Sequence, residues 1–201
     1  MKKSLVLICT LMLPLVLVAQ EFEASISEAK SAYNSKNLED TRFALQQALS
    51  AVDVAIGKQI LSLLPSELGG MAINAEDDTY SGNTMGFSGI YVDRSYGDQE
   101  KSASINMVTD SPLMSAISAI LSMPMMMNLA GDKNQKVIKI DGYKSVLQKQ
   151  LDSEEKVTGY EVQIPLRNTL MSVDFDGFDD ENTVIGMINQ IPVEKIAQTI
   201  E

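Results

Sequence analysis

The sequence predicts an α+β protein, with an N-terminal helical hairpin followed by a mostly antiparallel sheet that has helices packed on one face. Two observations predict this class. Apolar residues recur at helical spacing through residues 22–64, and from Gly69 onward the chain changes to short, mostly consecutive segments with strand alternation. Consecutive strands favour antiparallel pairing. We expect three parts: a cleaved segment over 1–19, a hairpin over 20–65 and an α+β domain over 66–201.

The start of the chain has the layout of a secretory signal peptide. Lys2 and Lys3 precede the uncharged apolar run Leu5–Val18, and Ala19 supplies a small residue at a plausible cleavage point. The run is shorter than the ~20 residues of a membrane-spanning helix. We therefore expect cleavage rather than a permanent anchor, no transmembrane span in the mature chain, and a periplasmic or secreted bacterial protein.

The single cysteine, Cys9, lies inside this apolar run and directly follows the bulky Ile8. A bulky residue at that position argues against lipid attachment. Cleavage would leave a mature chain without a thiol, so disulfides cannot stabilise it. A chain of this length is able to bury a core large enough to do so instead.

Composition excludes several classes of chemistry. The chain has no histidine and no tryptophan, so it cannot form a Ser-His-Asp triad, a Cys-His pair or a His-ligated metal site. Its net charge of −11 becomes more negative once Lys2 and Lys3 are removed. Such a surface repels nucleic-acid backbones and anionic lipids. We expect a protein that is not an enzyme, with no cofactor and no nucleic-acid partner.

The helical segment divides at the turn cluster Asn34–Asn37. Asn37 suits the cap of a second helix, Asp40 at the third helical position reinforces that start, and Pro65 ends it. The expected apolar stripe of this second helix is Ala44, Leu45, Ala48, Leu49, Val52 and Ile56.

The hairpin resembles one tetratricopeptide unit. The resemblance is carried by Ala29, Tyr33, Asn37–Asp40, Leu45 and Ala48-Leu49. Thr41 stands where these units usually have a small residue, and Asp53 stands where they have a closing proline. The unit occurs once, whereas a solenoid needs about three. The resemblance therefore implies a single packed hairpin rather than an open peptide-binding groove.

Three strands are predicted after the hairpin, over Met71–Ala75, Gly86–Tyr96 and Ser102–Val108, with a loop over Thr79–Gly86. In the third strand apolar residues alternate with polar ones. That alternation predicts a sheet with one buried and one wet face. The expected inward residues are Ala103, Ile105 and Met107.

Ser111 and Pro112 suit the cap and first position of a helix that continues to Gly131. Asp141-Gly142 between two apolar runs is a hairpin signature, and it predicts paired strands over Val137–Ile140 and Tyr143–Leu147.

Two further strands are predicted over Gly159–Ile164 and Thr169–Phe175. Asp179 or Asp180 is expected to cap a helix over Glu181–Gln190, because a carboxylate there accepts backbone hydrogen bonds. After Pro192, residues 193–200 are expected to form a last helical turn or two.

This order of elements, with LLPSELGG and KVIKIDGYKSVLQ as its clearest segments, is similar to uncharacterised bacterial secreted proteins. The layout resembles the α+β architecture of PsbP and Mog1-like domains over about residues 66–200. The resemblance implies a fold and transfers no functional residue.

The helix after Ser111 carries no charge as far as Gly131 and is rich in methionine. Methionine is flexible and polarisable, and it suits apolar binding surfaces. One interpretation is a core helix packed on the sheet. The other is a wall of a site for a lipid or apolar molecule, with candidate ligand-binding residues Met114, Ile117, Leu121 and Met125.

An acidic cluster follows the last predicted strand. Its carboxylates suit Ca²⁺, which takes six to eight oxygens, and the candidate ligands are Asp174, Asp176, Asp179 and Asp180. Gly177 comes too early for a calcium loop of the helix–loop–helix type. The alternative is a strand-end turn followed by a helix cap.

These features lead to two functional hypotheses. The first is an interaction or adaptor module that acts on another envelope protein through the hairpin or a sheet face. The second is a carrier or sensor of an apolar small molecule or lipid, with the methionine-rich helix over 111–130 as one wall.

Overall fold

The computed structural model describes residues 13–81, 89–122 and 134–200, and it confirms the predicted α+β class. Two helices come first and form the hairpin; the others follow within the sheet domain. The helices are α1 (Leu13–Asn34), α2 (Leu38–Leu63), α3 (Met114–Ser122), α4 (Glu181–Ile188) and α5 (Val193–Ile200). Within the described residues, no helix combines the length and apolarity that crossing a membrane requires.

The strands form a short ribbon and one large sheet. The ribbon pairs β1 (Glu67–Leu68) with β2 (Met71–Ala72). The sheet contains β3 (Thr79–Ser81), β4 (Tyr91–Gly97), β5 (Ser102–Thr109), β6 (Gln135–Ile140), β7 (Tyr143–Leu151), β8 (Val157–Leu166) and β9 (Thr169–Asp176). Their order is β3-β4-β5-β9-β8-β7-β6, and every neighbouring pair in it is antiparallel.

Two short sequence motifs form the structures predicted for them, a helix cap and a hairpin turn. The Asn37 side chain accepts a hydrogen bond from the Asp40 backbone N–H and caps α2. Asp141 and Gly142 have φ values of 47° and 88° and join β6 to β7 in a tight turn. Positive φ at both central residues is what a type I′ hairpin turn requires.

Several predicted boundaries are wrong. Thr79–Ser81 forms a strand rather than a loop, because it pairs with the first three residues of β4. The strand expected over Met71–Ala75 ends at Ala72, and a short 3-10 turn follows. Ser111 and Pro112 form a turn before α3, which begins at Met114 rather than at Pro112. The rest of the predicted loop, residues 82–86, and the first residues of the strand expected over Gly86–Tyr96 lie outside the described residues, and that strand is observed from Tyr91.

The core lies between one face of the sheet and three helices, α2, α4 and α5. The inward residues of β5 are those predicted from their alternation. The largest fully buried side chains of the described residues are Tyr96, Phe175, Ile60, Leu68, Ile105, Met107, Ile140, Leu147, Ile164, Leu166, Met171 and Ile188. The last turns of α2 therefore belong to the same core as the sheet.

Arg94 of β4 attaches the end of α2 to the sheet. Its Nη1 donates to the carbonyl oxygens of Leu61, at 2.9 Å, and Leu64, at 3.3 Å. Its Nε donates to Asp78 at 2.9 Å, and its Nη2 pairs with the same carboxylate. The hydrogen bond with Asp78 is the main cause of a raised Arg94 pKa. The guanidinium thus neutralises a carboxylate and satisfies carbonyls that the helix end leaves unpaired.

α3 lies on the opposite face of the sheet. Its buried residue Ile117 packs against Val146 and Leu170 in a small cluster separate from the main core. Val146 is in cross-strand register with Gln163, which pairs with Ser172. Since facing residues in register share a face, this second face is largely polar where α3 does not cover it.

Candidate functional site

The two helices of the hairpin pack through small side chains. Ser25 and Ala29 of α1 are buried, and so are Ala44, Ala48 and Ala51 of α2. α1 packs against α2. Small residues let two helix backbones come close, but they bury little apolar area for each residue. The larger side chains of the hairpin must therefore lie elsewhere.

The apolar stripe predicted for α2 is wrong as a single buried face. The structure splits it: Ala44 and Ala48 are buried, Ile56 packs against the main core, and Leu45, Leu49 and Val52 face solvent. Leu49 is 60% exposed and Leu38 is 65% exposed. We call the exposed set, Leu38, Leu45, Leu49 and Val52, the leucine stripe.

Helical geometry separates three sides of α2. Successive residues turn by about 100° around a helix. The alanines occupy one side, and the sheet domain meets roughly the opposite side, where Gly57 lies close to Tyr80 and Val92. The leucine stripe lies about a quarter turn from the alanine side. It is thus covered neither by α1 nor by the sheet.

α1 presents apolar side chains toward the same side. Phe22 and Ile26 are partly buried, and Tyr33 is 65% exposed. Around each helix these positions are rotated in the same sense from the alanine contact. Because the two helices are antiparallel, equal rotations bring both sets to one side of the hairpin. The two helices therefore carry apolar residues on the same side of the hairpin, and we call this set, the leucine stripe with Phe22, Ile26 and Tyr33, the hairpin face.

The tip of the hairpin adds a shallow surface depression beside this face. Leu38, Glu39, Asp40, Arg42, Phe43 and Gln46 line it. Phe43 is 58% exposed. Apolar and charged side chains thus lie side by side around the start of α2.

The candidate ligand residues of the methionine-rich segment have different surroundings. Ile117 is buried, and Met114 and Leu121 are partly buried against it. Met125 lies outside the described residues. In the described part of the segment, these three side chains thus pack the helix onto the sheet, and neither depression found on the described surface adjoins α3.

The four candidate calcium ligands are distributed along a strand end, a turn and a cap. Asp174 and Asp176 lie on β9, and Asp179 precedes α4. Asp180 caps α4 by accepting hydrogen bonds from the Thr183 N–H, at 2.8 Å, and hydroxyl, at 2.6 Å, which also lower its pKa. Within the described residues no three acidic side chains are grouped to hold a metal ion. The calcium site stays a sequence-based prediction without geometric support.

Asp174 lies on the polar face of the sheet, directly opposite Glu161 of β8. Desolvation by burial, followed by repulsion from Glu161 and Asp176, raises the pKa of Asp174 to about 6. The amide of Gln150 donates a hydrogen bond to it at 3.3 Å. This is one perturbed carboxylate on an open strand surface. The perturbation follows from partial burial first and from the neighbouring acids on the adjacent strand and on β9 second.

Comparison with known proteins gives no relative to argue from. No model of a protein family matches the chain, and no curated protein or solved structure matches it. The resemblances to a tetratricopeptide unit and to PsbP and Mog1-like domains stay expectations. Function must therefore be argued from the surfaces themselves.

Proposed function

We propose that this chain is a non-enzymatic interaction module of the bacterial envelope, and that the hairpin face binds a protein partner there. The observation that carries the proposal is the leucine stripe, with Leu38, Leu49 and their neighbours exposed on a regular helix.

An energetic argument supports a binding role for the exposed leucine stripe. Scattered exposed leucines are ordinary, but a contiguous apolar patch of several hundred Å² marks an interaction site. Here large side chains repeat along the exposed side of α2, while alanines occupy its contact with α1. Burial of each exposed leucine by a partner would contribute up to about 1.5–3 kcal/mol.

A non-enzymatic role is supported by the side chains that are present. The chain has no histidine, and its cysteine lies in the signal-like segment. Arg94, Asp78 and Asp180 are engaged in structural hydrogen bonds. The raised pKa of Asp174 has a local electrostatic cause on an open surface. An envelope location is supported by the N-terminal segment with its basic start and apolar run.

Photo-crosslinking in the living cell tests this proposal. A photoreactive amino acid replaces Leu49 in one strain and Gln47, an exposed residue on the opposite side of α2, in a matched control. We expect a protein adduct from position 49 and none from position 47. Equal adduct yields at both positions, or no adduct at 49, would contradict the proposal.

The carrier or sensor function is the second candidate, and α3 favours it. This helix is uncharged and strongly apolar, yet Ile117 is its buried residue within the described range, and Leu113 just before it is 51% exposed. The exposed Leu113 thus offers an apolar contact to a lipid or apolar molecule at the start of this helix.

A fluorescent fatty acid tests the carrier function. It should bind the purified chain, and Met114→Asp should abolish that binding without changing the thermal midpoint by more than a few degrees. Loss of folding in Met114→Asp would show that this helix is core rather than a binding wall. Failure of the unaltered chain to bind the fatty acid would contradict the carrier function itself.

A further inference from the structure

We infer that Gln20 becomes the N-terminal residue of the exported chain and closes there into a pyroglutamyl lactam, a covalent modification that leaves the N-terminus uncharged. This inference rests on the proposed function, because it uses the envelope location and the cleavage of the N-terminal segment. Three features support it: the residue that follows the expected cleavage point, the place of that residue in α1, and the charges beside it.

The first feature is the residue at the cleavage point. The uncharged apolar run Leu5–Val18 is followed by the small residue Ala19 and then by Gln20. A signal peptidase cuts after a small residue at the end of such a run. Cleavage after Ala19 therefore converts the backbone N–H of Gln20 into an α-amine, and glutamine is the amide residue whose side chain has the length to close a five-membered ring on that amine.

The ring closure needs no co-reactant. The neutral α-amine nitrogen of Gln20 attacks the Cδ carbon of its own side-chain amide, so that a new C–N bond forms and the bond between Cδ and Nε2 breaks. One proton passes from the attacking nitrogen to the departing one, and ammonia leaves. Nothing is oxidised or reduced. An α-amine is partly neutral near neutral pH, so the reacting form is present.

The second feature is the position of Gln20 in the hairpin. α1 runs without interruption from Leu13 to Asn34, and both Gln20 and Glu21 are exposed. From Gln20 onward, the first buried residue of this helix is Ser25. Cleavage thus places the new terminus more than a helical turn before the packed part of the hairpin, where the exposed glutamine side chain is able to bend back onto its own amine.

The third feature is charge. The N-terminus of a helix carries the positive end of the helix dipole, so acidic side chains stabilise it and a cation destabilises it. The first turn of the cleaved helix supplies two acids, Glu21 and Glu23. An α-ammonium group on Gln20 would place a positive charge at the same end. Ring closure removes that charge, as other blocking groups do at a protein N-terminus, and leaves both carboxylates in place.

The modification also affects the hairpin face, because Phe22 lies in the first turn after the new terminus. Phe22 is partly buried and belongs to this face. Fraying of the first turn would displace its side chain, and a neutral terminus reduces fraying. The lactam therefore helps to hold one end of the binding surface in its helical position.

Intact-mass analysis of the chain, taken directly from the envelope of its own host, tests the inference. We expect the mass of residues 20–201 less the mass of one ammonia, and no reaction of the N-terminus with an amine-specific label. Gln20→Asn is the matched control. Its side chain is one carbon shorter, so the same attack would need a strained four-membered ring. This variant should be cleaved at the same place, keep its ammonia and react with the label.

Hydrogen exchange tests the effect on the hairpin face. In the lactam form, the amides of residues 24–27 should exchange several times more slowly than in Gln20→Asn, while the amides of β5 should be unchanged. Equal exchange in the two chains would overturn the stabilising effect of the lactam on the first turn of α1.

The masses separate this inference from the function on which it rests. A chain that begins at Gln20 with a reactive amine, or that forms the lactam only during storage, overturns the inference and leaves the envelope location standing. A chain cut at a different residue does the same. A chain that retains residues 1–19 and stays in the cytoplasm overturns both the modification and the envelope location.

Discussion

The two halves of α2 carry similar apolar side chains into opposite environments. In the second half Ile60 is fully buried against the sheet and Leu61 and Leu64 are buried beside it. In the first half Leu45 and Leu49 face solvent, and alanines fill the contact with α1. Hydrophobic identity alone therefore does not determine which side chains make the core. In the first half of α2, the residues that face the neighbouring helix are small, so the larger side chains stay outside that contact.

This difference indicates that the two halves of α2 have different roles. The second half holds the sheet domain together, whereas the first half presents a surface whose burial the described fold does not need. Substitutions in the two halves should therefore separate effects on stability from effects on association.

Arg94→Ala should produce the largest loss of stability. It leaves the Asp78 carboxylate and the carbonyl oxygens of Leu61 and Leu64 without the guanidinium. Loss of one partner of a buried pair costs about 3–5 kcal/mol. Urea unfolding should show this decrease in the free energy of unfolding, while Arg42→Ala at the exposed hairpin tip should show almost none. Similar values for both variants would mean that Arg94 does not attach α2 to the sheet.

Ile60→Ala and Leu49→Ala compare the two halves of α2 directly. Truncation of fully buried Ile60 should lower the free energy of unfolding by about 2–5 kcal/mol. Truncation of exposed Leu49 should change the stability of the monomer by no more than about 0.5 kcal/mol. The comparison should be made with chain diluted below the dissociation constant of any dimer. A large destabilisation by Leu49→Ala under that condition would place the stripe in the core.

Asn37→Ala removes the cap of α2 at the hairpin tip. The Asp40 backbone N–H loses its side-chain acceptor, and loss of such a cap typically costs about 1 kcal/mol. Hydrogen exchange should locate the effect: amides of the first turns of α2 should exchange faster, while amides of β5 and β9 should change less. Asn37→Ser keeps a side-chain acceptor for this N–H without placing a second carboxylate beside Asp40, and it should lose less stability than Asn37→Ala.

Asp174 should give a small pH dependence to the stability of the sheet domain. Its pKa is about 6 in the folded chain and near 3.8 when unfolded, so the folded state favours the protonated form. The contribution to stability is fully present below pH 3.8 and is lost as pH rises through about 6. Because the side chain is partly exposed, the change should not exceed about 1 kcal/mol. Asp174→Asn should remove this component from a comparison of urea unfolding at pH 4 and pH 7.

Much of the fold follows from local signals in the sequence. The caps at Asn37 and Asp180 and the turn at Asp141-Gly142 were predicted because each rests on a short-range backbone requirement. The strand boundaries near Thr79 and Ala72 were not predicted, because pairing with β4 and β1 decides them and pairing is a long-range property.

The hairpin face was missed for a similar reason. The helical period placed Ala44, Leu45, Ala48 and Leu49 in one stripe, and the sequence offered no partner to distinguish its two edges. The separation of alanines from leucines by about a quarter turn is a signal that could have revealed two contacts instead of one. The role of the acidic residues around the end of β9 was also ambiguous in the sequence, because a helix cap and a metal site use the same carboxylates.

The pairing of β9 with β5 affects how the chain folds during its synthesis. These two central strands are separated by the whole β6–β8 meander, so their contact closes a long loop and raises the contact order of the domain. Until residues 169–176 have emerged, the two halves of the sheet expose unpaired central edges, which are prone to aggregate. A chain truncated before Thr169 should therefore be recovered as aggregate rather than as a smaller soluble domain.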